Sequence, residues 1–83
     1  MKIDEYMTAE VVIERILRRY SICTECASDA RKQALTESDR DQRIIWEKCA
    51  GFHETRADVI FDILVSVAGS EELAREWIKE YDS

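Results

Sequence analysis

The residues best suited to chemistry in this chain are its three cysteines and its single histidine. They form two short motifs, Cys23-x2-Cys26 and Cys49-x3-His53, with twenty-two residues between them. Thiolate sulfurs together with an imidazole nitrogen are a ligand set that tetrahedral zinc prefers. Residues three or four apart on a helix share a face, so each motif can direct both of its ligand atoms to one point. The residue types and their spacing therefore predict a zinc site.

The elements around the two motifs must bring them to the same height. In an antiparallel pair of helices, the numbers of facing residues have a constant sum. That sum is 75 for Cys26 with Cys49 and 76 for Cys23 with His53, which places the bend near residue 37 or 38. The polar segment 36–41, rich in capping residues, lies at the same place. Four protein ligands would close the coordination sphere, so we expect a structural zinc that staples the hairpin.

Other interpretations of the same four residues stay open. Reduced cysteines also pack as small buried hydrophobes, and His53 can be a hydrogen-bonded core histidine. A zinc–thiolate site exposed to oxidant can lose its metal and form a disulfide, which would make it a redox switch. Three is an odd number of cysteines, which argues against a closed disulfide framework. A static zinc staple is the interpretation that we favour.

The proposed ligand arrangement is loosely similar to that of zinc-binding anti-sigma factors. In that family a helical His-x3-Cys-x2-Cys motif joins a further ligand from a separate helix. In this chain the order is reversed, with Cys23-x2-Cys26 and Cys49-x3-His53 on different predicted helices. The similarity covers only the middle of the hairpin and is an analogy of construction rather than membership of that family.

Helical periodicity divides the chain into three predicted helices. The first covers residues 9–35 and is capped by Thr8, and the second covers residues 40–68, with Ser38 and Asp41 as a capping box. Gly69 suits the left-handed position after a helix, and Ser70 can cap a third helix over residues 71–81. We therefore expect one all-α domain over residues 1–83: a long antiparallel hairpin with a short C-terminal helix, dimerising into a helical bundle.

Each predicted helix has an apolar stripe that is expected to form the core. In the first helix it consists of Val12, Ile13, Ile16, Leu17, Tyr20, Cys23, Ala27, Ala30 and Ala34. In the second it consists of Ile45, Cys49, Phe52, His53, Val59, Ile60, Ile63, Leu64 and Val67. In the third it consists of Leu73, Trp77, Ile78 and Tyr81. Two helices bury little surface, so helix three, a metal or self-association must supplement the core.

Composition and charge argue against several classes of structure and of binding partner. The 83 residues are 46% hydrophobic and 36% charged, with two glycines and no proline, which argues against disorder and against a β-sandwich. The net charge of −6 is the wrong sign for direct binding to nucleic acid or a membrane surface. Met1 is followed by charged residues rather than by an apolar signal segment, so a reducing cytoplasm is the expected compartment.

Catalysis is not expected. Glu54, Asp58 and Asp62 recur every four residues, but the first helix offers no paired acidic motif for Mg²⁺, so a solvated acidic face is the simpler interpretation. The sequence instead predicts a small non-enzymatic regulatory module of bacterial or phage type, such as an inhibitor of a host protein. The residues proposed for partner contact are Trp46, Arg56, Arg15 and Arg19. Arg56 interrupts the apolar stripe and is expected to stretch outward over it into water.

Two alternative functions come from the distribution of charge. The carboxylates of the second and third helices would suit an acidic nucleic-acid mimic that occupies a basic groove of its partner. The arginines Arg15, Arg18 and Arg19 would instead suit phosphate contacts in a helical bundle that binds a nucleotide or another small ligand.

Overall fold

The computed structural model describes residues 8–83 and folds them into three helices without a strand in that range. These are α1 (Ala9–Thr36), α2 (Arg40–Ala68) and α3 (Glu71–Asp82). Every helix end lies within one residue of its predicted position. Helices α1 and α2 contact each other as a hairpin, and α3 packs on both. The predicted all-α hairpin with a short C-terminal helix is therefore confirmed.

The helix ends are set by local hydrogen bonds. The hydroxyl of Thr8 accepts a bond from the Val11 amide at 3.3 Å, and that of Ser70 accepts one from the Leu73 amide at 3.1 Å. Gly69 has a φ of 88°, the left-handed conformation that glycine adopts most easily after a helix. These three predicted roles are confirmed.

The predicted capping box at the start of α2 was wrong. The cap is Asp39 rather than Ser38, and its carboxylate accepts bonds from the amides of Asp41 and Gln42 at 2.9 and 3.1 Å. A carboxylate at this position also interacts favourably with the positive end of the helix dipole, whereas a hydroxyl offers no charge. The chain therefore enters α2 one residue later than the Ser38 box would place it.

Helices α1 and α2 approach each other through small side chains. The buried residues are Leu17, Cys23, Ala27, Ala30 and Ala34 of α1 and Ala50, Ala57 and Leu64 of α2. Leu64 is the single large side chain in the described range that is fully buried. It lies where the three helices meet, against Leu17 and Ala74. Partly buried side chains surround this cluster: Ile13, Ile16, Phe61, Val65, Ala68, Trp77 and Ile78.

The predicted core stripe of α2 was wrong for most of its members. Leu64 is buried, and Cys49, His53 and Ile60 are half-buried. The other members are exposed: Ile45, Phe52, Val59, Ile63 and Val67. Ala50, Ala57 and Leu64 each follow one of these exposed residues by five positions, which is about 140° around a helix. The alanine positions let α1 approach α2 closely, so α2 turns that face inward.

Candidate functional site

Five large apolar side chains lie on one face of α2 and are between 48% and 60% exposed. We call them the apolar stripe of α2: Ile45, Phe52, Val59, Ile63 and Val67. From first to last they extend about 33 Å along the helix at 1.5 Å per residue. A row of exposed apolar side chains on one face of a helix is a candidate interaction surface.

Arg56 lies within the apolar stripe of α2, one turn after Phe52. It is exposed, and its guanidinium carbon is 5.7 Å from the centre of the Phe52 ring. This is a cation–π contact, which holds the charged group over the aromatic face. The side chain extends outward, as the sequence predicted. Arginine and phenylalanine are both enriched in protein interfaces.

The proposed zinc ligands are close to the hairpin interface. Cys23 is buried, Cys26 and Cys49 are half-buried, and all three are free thiols. His53 is half-buried, and its Nδ1 atom is buried without a hydrogen-bond partner. Across residues 8–83, however, no group of three or more His, Cys, Asp or Glu side chains is arranged to hold a metal ion.

The register of the hairpin explains why the four ligands are not gathered. The rings of Tyr20 and Phe61 lie 6.2 Å apart, and Arg31 forms an ion pair with Glu54. The residue numbers of these two pairs add up to 81 and 85, above the 75 and 76 of the proposed ligand pairs. Residues that meet across the hairpin are therefore offset from the proposed ligand pairs by at least one helical turn.

The remaining predicted contact residues lie elsewhere on the surface. Trp46 is half-buried, whereas Arg15 and Arg19 are exposed. The two arginines line a shallow depression of about 500 Å³ together with Arg18 and Ile22. The acidic row of α2 is solvated as predicted, because Asp58, Asp62 and Glu54 are all exposed and Glu54 pairs with Arg31.

Sequence reasoning missed that the apolar stripe of α2 is a surface rather than a core. A signal for this was present in the sequence. Ala50 and Ala57 are seven residues apart on one face of α2, and Ala27, Ala30 and Ala34 of α1 are also small. Small residues at regular spacing on both helices favour close packing of those faces over the bulkier stripe.

Comparisons of the chain with protein-family models, with curated proteins and with solved structures give no match. Within residues 8–83, no helix combines the length and apolarity needed to cross a membrane.

Proposed function

We propose that this chain is a non-enzymatic protein-binding module of regulatory type, and that the apolar stripe of α2 is its contact surface. One observation carries the proposal: five large apolar side chains are exposed along about 33 Å of one helix face, while the neighbouring face is closed by alanines. A regular apolar helix face is the surface that another helix or an apolar groove recognises.

The surroundings of the stripe support a protein partner. Phe52 and Arg56 are of residue types that are enriched in protein interfaces. Lys48 and Asp62 are exposed beside the stripe, where charges set the specificity and orientation of docking. An acidic helical hairpin of 83 residues fits a bacterial or phage-type regulator, including an inhibitor of a host protein, within this class.

A structural zinc at Cys23, Cys26, Cys49 and His53 is part of the same proposal. Its support is the chemistry of the donors: three reduced thiols that are buried or half-buried, and a buried imidazole nitrogen without a partner. Bound zinc would connect α1 to α2 and stabilise the hairpin that presents the stripe. Because the ligands are offset in the described register, zinc binding would be accompanied by a shift between the two motifs.

Photo-crosslinking tests the contact surface. A benzophenone amino acid replaces Phe52 in the stripe, and in a matched control it replaces Asp58, which is exposed on another side of α2. We expect the Phe52 probe to crosslink to a protein, either a second copy or a different chain, and Val59→Glu in the same variant to abolish the product. Absence of a product, or equal products from both positions, would contradict the proposed function.

A further inference from the structure

Resting on the proposed function, we infer that the partner which covers the apolar stripe of α2 is a second copy of this chain. The two α2 helices dock antiparallel about a two-fold axis close to Arg56. The register of the apolar side chains and the placement of charge both support this arrangement.

The chain exposes more surface than a compact monomer of its mass. The chain exposes 6492 Å² of solvent-accessible surface, whereas a folded monomer of 9.7 kDa is expected to expose about 5,100 Å². The difference of roughly 1,400 Å² belongs to the elongated shape of the whole molecule. Burial of the stripe against a second copy would bring the chain toward the surface expected for its mass.

The stripe is self-complementary when two copies run antiparallel. In a two-fold interface, residue i contacts residue j of the partner, and j contacts i in return. With the axis near Arg56, Ile45 lies level with the partner's Val67, and Phe52 lies level with the partner's Val59. Both pairs have residue numbers that add up to about twice 56, so one axis aligns the upper and lower halves of the stripe. At the sum of 112 the fifth member, Ile63, lies level with the partner's Cys49, and Arg56 lies at the axis.

Charge selects the antiparallel orientation over the parallel one. Lys48 and Asp62 are two heptads apart and therefore lie on the same side of the stripe. Both are exposed, and within residues 8–83 neither makes an ion pair in the single chain. In the antiparallel dimer each Lys48 lies level with the partner's Asp62, which gives two opposite-charge pairs. In a parallel dimer the two residues would lie on the opposite side of the interface from their copies and far apart in height, so neither pair could form.

The central arginines are compatible with the two-fold axis. The guanidinium of Arg56 is drawn toward Phe52, one turn away from the axis. In the antiparallel copy this displacement runs in the opposite direction, so the two groups are separated by about two helical turns, roughly 11 Å. That separation keeps the two guanidinium groups out of contact, with each over the ring of its own Phe52.

The molar mass in solution tests the dimer. Size-exclusion chromatography with light scattering should give twice the chain mass of 9.7 kDa for the native sequence. Phe52→Glu places a charge at the centre of the interface and should raise the dimer dissociation constant at least about 30-fold. Leu35→Glu is the matched control, because Leu35 is 85% exposed but lies at the bend, outside the stripe. Circular dichroism verifies that both variants keep the native helix content.

A charge exchange tests the orientation. Lys48→Glu and Asp62→Lys should each weaken the dimer by about tenfold, and the double variant should restore it. Glu76→Lys on α3, away from α2's stripe, should leave the dimer unchanged. A mass of one chain at all concentrations, or a double variant as weak as its parents, would overturn the inference. If the chain is a monomer and the Phe52 probe crosslinks to a different protein, the proposed function stands and the dimer is excluded. If the Phe52 probe gives no crosslink, the proposed function and the dimer both fail.

Discussion

At the scale of single residues, His53 is notable because one of its ring nitrogens is buried without a partner. Its Nδ1 atom is buried and has no hydrogen-bond partner among the described residues, and a buried polar atom left unsatisfied costs about 1–3 kcal/mol. Its ring instead makes an edge contact with Phe52 at 5.5 Å between ring centres. His53 therefore connects the proposed metal ligands with the apolar stripe of α2, and a metal ion would satisfy the free nitrogen.

Elemental analysis and thiol counting test the metal at this scale. We expect about one zinc per chain, with all three thiols protected from a thiol reagent until a chelator is added. Either His53→Ala or Cys26→Ser should reduce the zinc content well below one zinc per chain, because each variant removes one of the four protein ligands. Glu25→Ala, between the two cysteines of the first motif, should leave it unchanged. Metal-free protein whose half-buried Cys26 and Cys49 react without chelator would contradict the zinc site.

At the scale of the elements, α2 is a helix with two different apolar faces. One face carries Ala50, Ala57 and Leu64 and packs inside the hairpin, and the other is the exposed stripe. A helix that is apolar on two sides must bury both of them or leave one for another molecule. The hairpin buries the face that carries the alanines, because the two helix backbones can come close together there and bring more atoms into contact. This packing leaves the larger side chains of the stripe exposed to solvent.

Substitutions at the start of α2 test which residue caps this helix. Asp39→Ala removes the carboxylate that accepts two backbone amides and should lower the free energy of unfolding by about 1 kcal/mol. Ser38→Ala is the control, with an expected change within about 0.5 kcal/mol, since Ser38 is exposed and does not cap the helix. Urea denaturation followed by circular dichroism measures both. Equal losses for the two variants would favour Ser38 as the cap instead.

At the scale of the whole molecule, the chain is long and thin. Its dimensions are 51 × 31 × 20 Å and its radius of gyration is 15.8 Å, compared with about 12 Å for a compact domain of this length. Its large apolar contacts are concentrated at one end, where α3 covers the hairpin around Leu17, Leu64 and Ala74. The rest of the hairpin is joined mainly by alanines. A molecule of this shape gains stability when a second chain covers its remaining apolar surface.

The stability of the single chain should depend strongly on Leu64. Leu64→Ala leaves a cavity at a position with no solvent exposure and should cost about 3–5 kcal/mol, which is a large fraction of the stability of a small domain. The neighbouring Ile63→Ala should cost less than about 1 kcal/mol in dilute solution, because Ile63 is half exposed there. Thermal unfolding at several protein concentrations measures both. A larger loss for Ile63 than for Leu64 in the monomer would contradict the described packing.

The sequence by itself determined the local features of this protein. The three helices, their ends and the roles of Thr8, Gly69 and Ser70 were predictable, because each depends on residues within about one helical turn. A cap is satisfied by amides two or three positions away, and a left-handed glycine ends its own helix. The all-α hairpin followed from these lengths and from the short connection. The predicted cap at Ser38 was wrong by one residue, because the side chains of Ser38 and Asp39 are both of types that cap helices well.

Tertiary structure decided which face of α2 is buried and which residues meet across the hairpin. Periodicity shows that α2 has an apolar stripe, but burial depends on the volumes that both helices bring to the interface. The alanines of α1 fit Ala50, Ala57 and Leu64, so the stripe around Phe52 and Val59 turned outward. The same packing set the register that offsets Cys23 and Cys26 from Cys49 and His53. Such long-range complementarity belongs to pairs of helices and is not encoded in either helix alone.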